Sequence, residues 1–195
     1  GFREIFTYPW ITDTYIKAIL HSTDGMLSLS SPPSPNERYL RSSLLPNLCK
    51  AISDNLRFYS EFAIFETAQA LFDHDYMSQY DKRESLPLER KTTAGALVGD
   101  LENVDTLFRK AKGVIEAMPS HVHMEPFTFE KKEKPIWADH VVWLNICHAG
   151  TKIGNLALLS KKALLDCGIK NSAVVLFEID IDALKPFPSR TNTFV

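Results

Sequence analysis

No stretch of this sequence approaches the ~20 consecutive apolar residues that a membrane helix needs, and none has the basic, apolar, small-residue order of a secretory leader. Those absences exclude a membrane-spanning helix and lead us to expect a cytoplasmic protein. Cysteine is scarce: Cys49, Cys147 and Cys167 are an odd number at wide spacing, which suits reduced, buried thiols better than a disulfide framework. There is no surplus of positive charge either. A net charge of −2 excludes a domain whose own field captures a polyanion, because non-specific nucleic-acid binding rests on neutralising several phosphates. No G-x-x-x-x-G-K-[ST] loop, no G-x-G-x-x-G opening a helix and no G-x-S-x-G is present, and neither a fixed-period repeat nor a low-complexity tract occurs.

What is there is an ordinary globular composition. The 195 residues, 45% hydrophobic and 24% charged, can bury a core without disulfides or metal, and we read them as a single α+β domain over residues 1–195. The chain opens on Gly1 and is in strand-like sequence by Phe2, so we expect it to be a piece of a longer protein. Residues 2–8, FREIFTY, form the first expected strand, ended by Pro9. Thr12 or Asp13 can cap a short helix with Tyr15, Ile16, Ile19 and Leu20 on its apolar side, and the three prolines of residues 31–37 place a turn there. Leu44, Leu45, Leu48, Ala51, Ile52 and Leu56 then recur at helical spacing, with Ser42 or Ser43 as cap and Pro46 in the first turn.

The segment EFAIFETAQALF, ending at Phe72, predicts a central strand, since Phe62, Ile64 and Glu66 fall on one side and Ala63, Phe65 and Thr67 on the other. Residues 73–91 are polar and of mixed charge and predict an exposed loop, followed by a strand over 92–99. Asn103 caps a helix to about Ala117, with Val104, Leu107, Phe108, Ala111, Val114 and Ile115 as its buried stripe and Pro119 as its stop. Strands are expected at 121–129, 140–148 and 152–159, the last two joined by a hairpin at HAGT. A helix at 160–167 ends before Gly168, and SAVVLFEIDI supplies the closing strand. Hairpins with three interspersed helices favour a mostly antiparallel sheet flanked by helices.

In this order the segments resemble the catalytic-like module of the phenylalanyl-tRNA synthetase β subunit. GFREIFTYP is similar to that family's opening strand, and LRSSLLPNLCKAISDNLRF to its helix signature. FAIFETAQALF keeps Phe65 and Glu66 at the family's phenylalanine and glutamate. NVDTLFRKAKGVIEAM, GTKIGNLALL and VVLFEIDIDAL resemble the helix, hairpin and closing strand that follow. The likeness runs from Gly1 to about Leu184. It departs before the hairpin, where PIWADHVVWLNI replaces a proline–glycine–arginine segment, and after it, where Leu159 and Ser160 stand in place of a His-Pro. The tail keeps Phe187, Pro188 and Arg190 but lacks an arginine–aspartate pair, so the resemblance is to a divergent member.

The resemblance implies a fold like the antiparallel core of class II aminoacyl-tRNA synthetases. It also implies a catalytic α subunit as partner within a heterotetramer, and it places ATP and magnesium on that α subunit. Class II chemistry needs cations on transferring phosphoryl oxygens. In the class one arginine lies on the strand after the first long connection and another follows a glycine-rich turn, yet residues 61–81 contain no lysine or arginine, and no arginine follows Gly150, Gly154 or Gly168 at helical spacing. We therefore expect a structural, subunit-interface domain with no catalytic, cofactor-binding or metal residue of its own. Arg41 is expected to pair with a local carboxylate or a subunit neighbour. The alternatives are a class II-like ATP-dependent ligase active by itself and a stand-alone RNA-binding paralogue.

Weaker constellations complete the reading. His121 and His123 would share a strand face, and Asp73, His74 and Asp75 offer metal-ligating atoms, but neither group brings a further ligand at a recognisable spacing. Cys147 and His148, adjacent in a strand, point to opposite faces. The lysines of KKEK, residues 131–134, and the charges of residues 82–91 read as solvated loops, with a tRNA contact through this domain possible but weak.

Overall fold

The computed structural model describes residues 1–73 and 87–187. Their order is β1 (Arg3–Glu4), β2 (Trp10–Ile11), α1 (Asp13–Ile19), β3 (Tyr39–Leu40), α2 (Leu45–Asn55), β4 (Phe62–Phe72), β5 (Leu88–Gly99), α3 (Val104–His121), β6 (Thr128–Glu130), β7 (Ala138–His148), β8 (Thr151–Leu159), α4 (Lys161–Asp166) and β9 (Ala173–Asp180). Seven strands make one sheet in the order β1-β4-β5-β9-β8-β7-β6, while β2 and β3 form a small separate ribbon. Every ladder in the large sheet is antiparallel except β1 with β4.

Period-2 alternation sends each strand's side chains to two cores. On one face Ile64, Ala94, Ala96, Ala157, Val174 and Leu176 pack beneath α1, α2 and α4, which contribute Ile19, Leu45, Leu48, Ile52 and Ala163. On the other face Leu97, Leu156, Val175, Phe177 and Ile179 pack beneath α3 through Leu107, Ala111 and Ile115. The three cysteines are free and buried. The thiols of Cys49, on α2, and Cys167, just after α4, hydrogen-bond to one another, and that bond with burial pushes the Cys49 thiol well above its ordinary pKa.

Several sequence expectations meet corrections here. The first strand pairs only over Arg3–Glu4, because beyond the Ile5 N–H bond to the Phe65 carbonyl the chain leaves the ladder and is held by side chains instead. Strand β5 begins at Leu88 rather than Thr92: Leu88 and Glu89 pair with Phe72 and Leu71, so residues 88–91, read as loop, extend a long hairpin. Helix α3 runs through Pro119 to His121. The proline removes one internal bond, its ring is buried, and its carbonyl accepts from Val122 and Met124. Val114 lies at the exposed margin of α3 rather than in its stripe. The strand expected at 121–129 is reduced to Thr128–Glu130.

The HAGT hairpin has Ala149 at φ 47° and Gly150 at φ 79°, the two positive values that a tight two-residue turn requires. Strand β4 is flanked on both sides, as its two apolar faces predict, although its outer neighbour is only two residues long.

Candidate functional site: a charge-neutralised cleft

Where the apolar cover of α1, α2 and α4 ends, the same sheet face turns polar. Ser42, Phe72, Arg90, Thr92, Lys152, Asn155, Glu178 and Asp180 line a cleft of about 400 Å³ over β5, β8 and β9. Gly154 in its floor lets β8 and β9 approach closely, since a Cβ there would lie 2.2 Å from the Glu178 carbonyl oxygen.

Among the described residues, each cation lining the cleft is bound to a carboxylate. The Arg90 guanidinium donates to Asp180 Oδ2 at 2.7 Å. Lys152 pairs with Glu133 at 3.1 Å on the exposed rim. Beside β4, Arg41 Nη1 contacts Glu66 Oε1 at 3.0 Å, with the two side chains only 8% and 2% exposed. Arg41 also donates through Nε to the Gln69 carbonyl at 3.0 Å and through Nη1 to the Thr7 hydroxyl at 3.0 Å, while Glu66 accepts from the Thr7 N–H and hydroxyl. The expected local carboxylate partner of Arg41 is thus Glu66, on the strand that carries no basic residue.

Glu178 faces the cleft beneath the start of α2 and accepts from the Leu44 N–H at 2.8 Å and from the Ser43 hydroxyl. Burial pushes its carboxyl up to about 6, against the lowering effect of those two donors, with Asp180 adding a smaller upward push. Ser43, expected as a helix cap, accepts from the Leu45 N–H while donating to Glu178. Farther along, Asn145 accepts from the N–H groups of Lys132 and Glu133 and donates to Asn155. The floor therefore presents two carboxylates and two cations already engaged with acidic partners. A triphosphate entering it would compete with Asp180 for the Arg90 guanidinium.

The weaker candidates are dispersed. His121 closes α3 and His123 sits at φ 54° in the turn beyond it, so they share no strand face. His74 and Asp75 lie outside the described residues, and among those described no three His, Cys, Asp or Glu side chains gather as a metal site. Cys147 and His148 do alternate on β7, with His148 packed edge-on between Phe127 and Phe187. Of the KKEK lysines, Lys131 binds the Val141 carbonyl, Lys132 pairs with Glu130 and Lys134 reaches two carbonyls. Sequence reasoning missed Arg90 and Asp180. Nothing in the polar run Glu89–Arg90–Lys91 marks which residue turns inward, and only the register of β5 against β9 brings the pair together.

This architecture is that of a class II aminoacyl-tRNA synthetase core: the pyrrolysyl-tRNA synthetase of Desulfitobacterium hafniense superposes with a TM-score of 0.70 at 14% identity, over 95% of this chain and 62% of that one. A second pyrrolysyl-tRNA synthetase structure from the same organism gives 0.67 at 16% identity. Residues 1–181 match the family model of the phenylalanyl-tRNA synthetase beta chain CLM domain, and the chain belongs to that family. Among curated relatives, the phenylalanine–tRNA ligase beta subunit of Oceanobacillus iheyensis is 25% identical over 94% of this chain, and that of Desulfotalea psychrophila 23% identical over all of it. The chain spans 23% and 26% of the length of those two relatives. No helix among the described residues is long and apolar enough to cross a membrane.

Proposed function

We propose that this chain is a non-catalytic, subunit-contacting module of a cytoplasmic phenylalanine–tRNA ligase β chain, supporting an aminoacylation that takes place on an α subunit holding the ATP and magnesium. The observation that carries the reading is the neutralised cleft. Arg90 is paired with Asp180 and Lys152 with Glu133, and beside the cleft Arg41 is locked to Glu66, so among the described residues no cation lining the cleft is left without a carboxylate partner to meet phosphoryl oxygens. The raised, buried Glu178 adds a group that repels phosphate whenever it ionises.

A self-sufficient ligase has one observation on its side, the placement of Arg90 in the cleft. Two measurements on the protein co-expressed with a cognate α subunit separate the readings. A stable α–β complex, with amino-acid-dependent pyrophosphate exchange found only when α is present, is the expected result. Exchange by the β chain alone, or a folded β chain that never captures α, overturns the proposal. The RNA-binding alternative predicts tRNA affinity that falls steeply with salt, and the paired lysines of residues 131–134 give it little support.

A further inference from the structure

Against α2, with no lining residue in common with the cleft, a smaller cavity of about 230 Å³ opens between residues 6–12, α1 and α2. One wall is the Tyr8–Trp10 pair, whose rings stack at 4.4 Å and 8°. The wall is fixed in place. Asn47, on α2, donates to the Tyr8 carbonyl at 2.7 Å and to the Trp10 carbonyl at 3.3 Å, and Trp10 pairs with Leu40 in the small ribbon.

Three charged side chains line the cavity: Glu37, Lys50 and Asp54. Lys50 and Asp54 neutralise one another at 2.8 Å. Glu37 accepts from the Thr12 and Ser34 hydroxyls, each at 3.3 Å, but is in no ion pair among the described residues. It acts on Lys50 only from a distance, as the least of the influences on that amine. At the rim, Phe6 is 82% and Tyr8 69% exposed, an aromatic surface of the composition that protein partners cover.

We infer that this pocket receives the side chain of a single arginine presented by a partner protein. The volume is below the roughly 300–1,000 Å³ of small-molecule sites and suits one inserted side chain. A flat aromatic wall beside a carboxylate without a cation is matched by a planar guanidinium, which stacks and donates at once, better than by a compact ammonium. This inference goes beyond the proposed function, because it concerns the pocket's chemistry and holds whichever protein supplies the arginine.

The test titrates the expressed protein, alone and in complex with a co-expressed α subunit, with N-acetyl-arginine methylamide and its uncharged citrulline counterpart, following tryptophan fluorescence. The arginine compound is expected to bind the uncomplexed protein about tenfold more tightly than the citrulline compound. Glu37→Gln is isosteric, keeping an oxygen that accepts from one of the Thr12 and Ser34 hydroxyls and placing an amide N–H that can donate to the other, so it should preserve the fold while removing that preference. Trp10→Leu weakens both compounds. Equal binding of the two compounds by the unaltered protein, no binding of either, or an E37Q protein that still prefers arginine, overturns the inference. Binding that the α subunit blocks supports it and assigns the arginine to α, and binding that persists in the complex supports it with another protein as the source. Failure of the α complex to form bears on the proposed function alone.

Discussion

Strand β9 sends Phe177 and Ile179 into a dry layer under α3, and Leu176, Glu178 and Asp180 toward the opposite face, where the apolar cover gives way to a polar band. The difference follows what each face must hold. Under α3 there is one regular helix whose backbone bonds are internal, so apolar contact is enough. The other face anchors irregular chain. Glu66 fixes the Thr7 segment, Glu178 the Leu44 N–H and the Ser43 hydroxyl at the entry to α2, and Asn145 the turn at Lys132 and Glu133. Buried backbone donors outside a ladder need acceptors, and these side chains provide them. The polar positions of the cleft face are thus internal staples, in the places where a nucleotide-handling sheet would hold ligand.

Three perturbations test that contrast. The largest loss is expected from Phe177→Ala on the dry face, about 3–5 kcal/mol of unfolding free energy measured by denaturant titration, from removed contact and the cavity left behind. Next comes Glu66→Ala, at about 3 kcal/mol, because the Arg41 guanidinium would stay buried without its counter-charge. The double change Arg41→Met with Glu66→Leu should recover much of that loss. If Glu66→Ala proves as mild as breaking the exposed Lys50–Asp54 pair, the staple account of the polar face is wrong.

The smallest effect concerns Glu178, whose carboxyl is raised from 4.5 to about 6 in the folded protein. The folded state then holds this proton more tightly than the unfolded chain does. Its contribution to stability is complete below about 4.5 and is lost as pH rises through about 6. That amounts to about 2 kcal/mol between the two limits. Replacing Glu178 by Gln should flatten the stability-versus-pH curve in that window, and an unchanged slope would remove Glu178 as its source.

Much of the fold was legible because its signals are local. The leucine spacing of α2, the alternation in β4, the positive-φ turn at Gly150 and the stop of α4 at Gly168 each depend on residues within a few positions. The errors came where distant chain overrides local preference. Pairing with β4 turned polar residues 88–91 into strand, and burial of Pro119 carried α3 past a residue that usually ends a helix. Of the cleft, the absence of basic residues on β4 was readable directly, and Arg41 could be expected to find a carboxylate. That Glu66 is the one, and that Arg90 meets Asp180, required tertiary contacts between residues 25 and 90 positions apart.

The sequence by itself determined the main helices and the long strands, the two-faced character of those strands and the membership of a synthetase family, because periodicity, caps and ordered motifs are written in neighbouring residues. Only the tertiary structure decided which charges cancel, where the cleft lies, and that Glu37, in no ion pair among the described residues, lines one cavity with the stacked Tyr8 and Trp10. Ion pairs and pockets depend on distances of a few ångströms between segments remote in the chain, and those distances are fixed by sheet register and helix docking rather than by local preference.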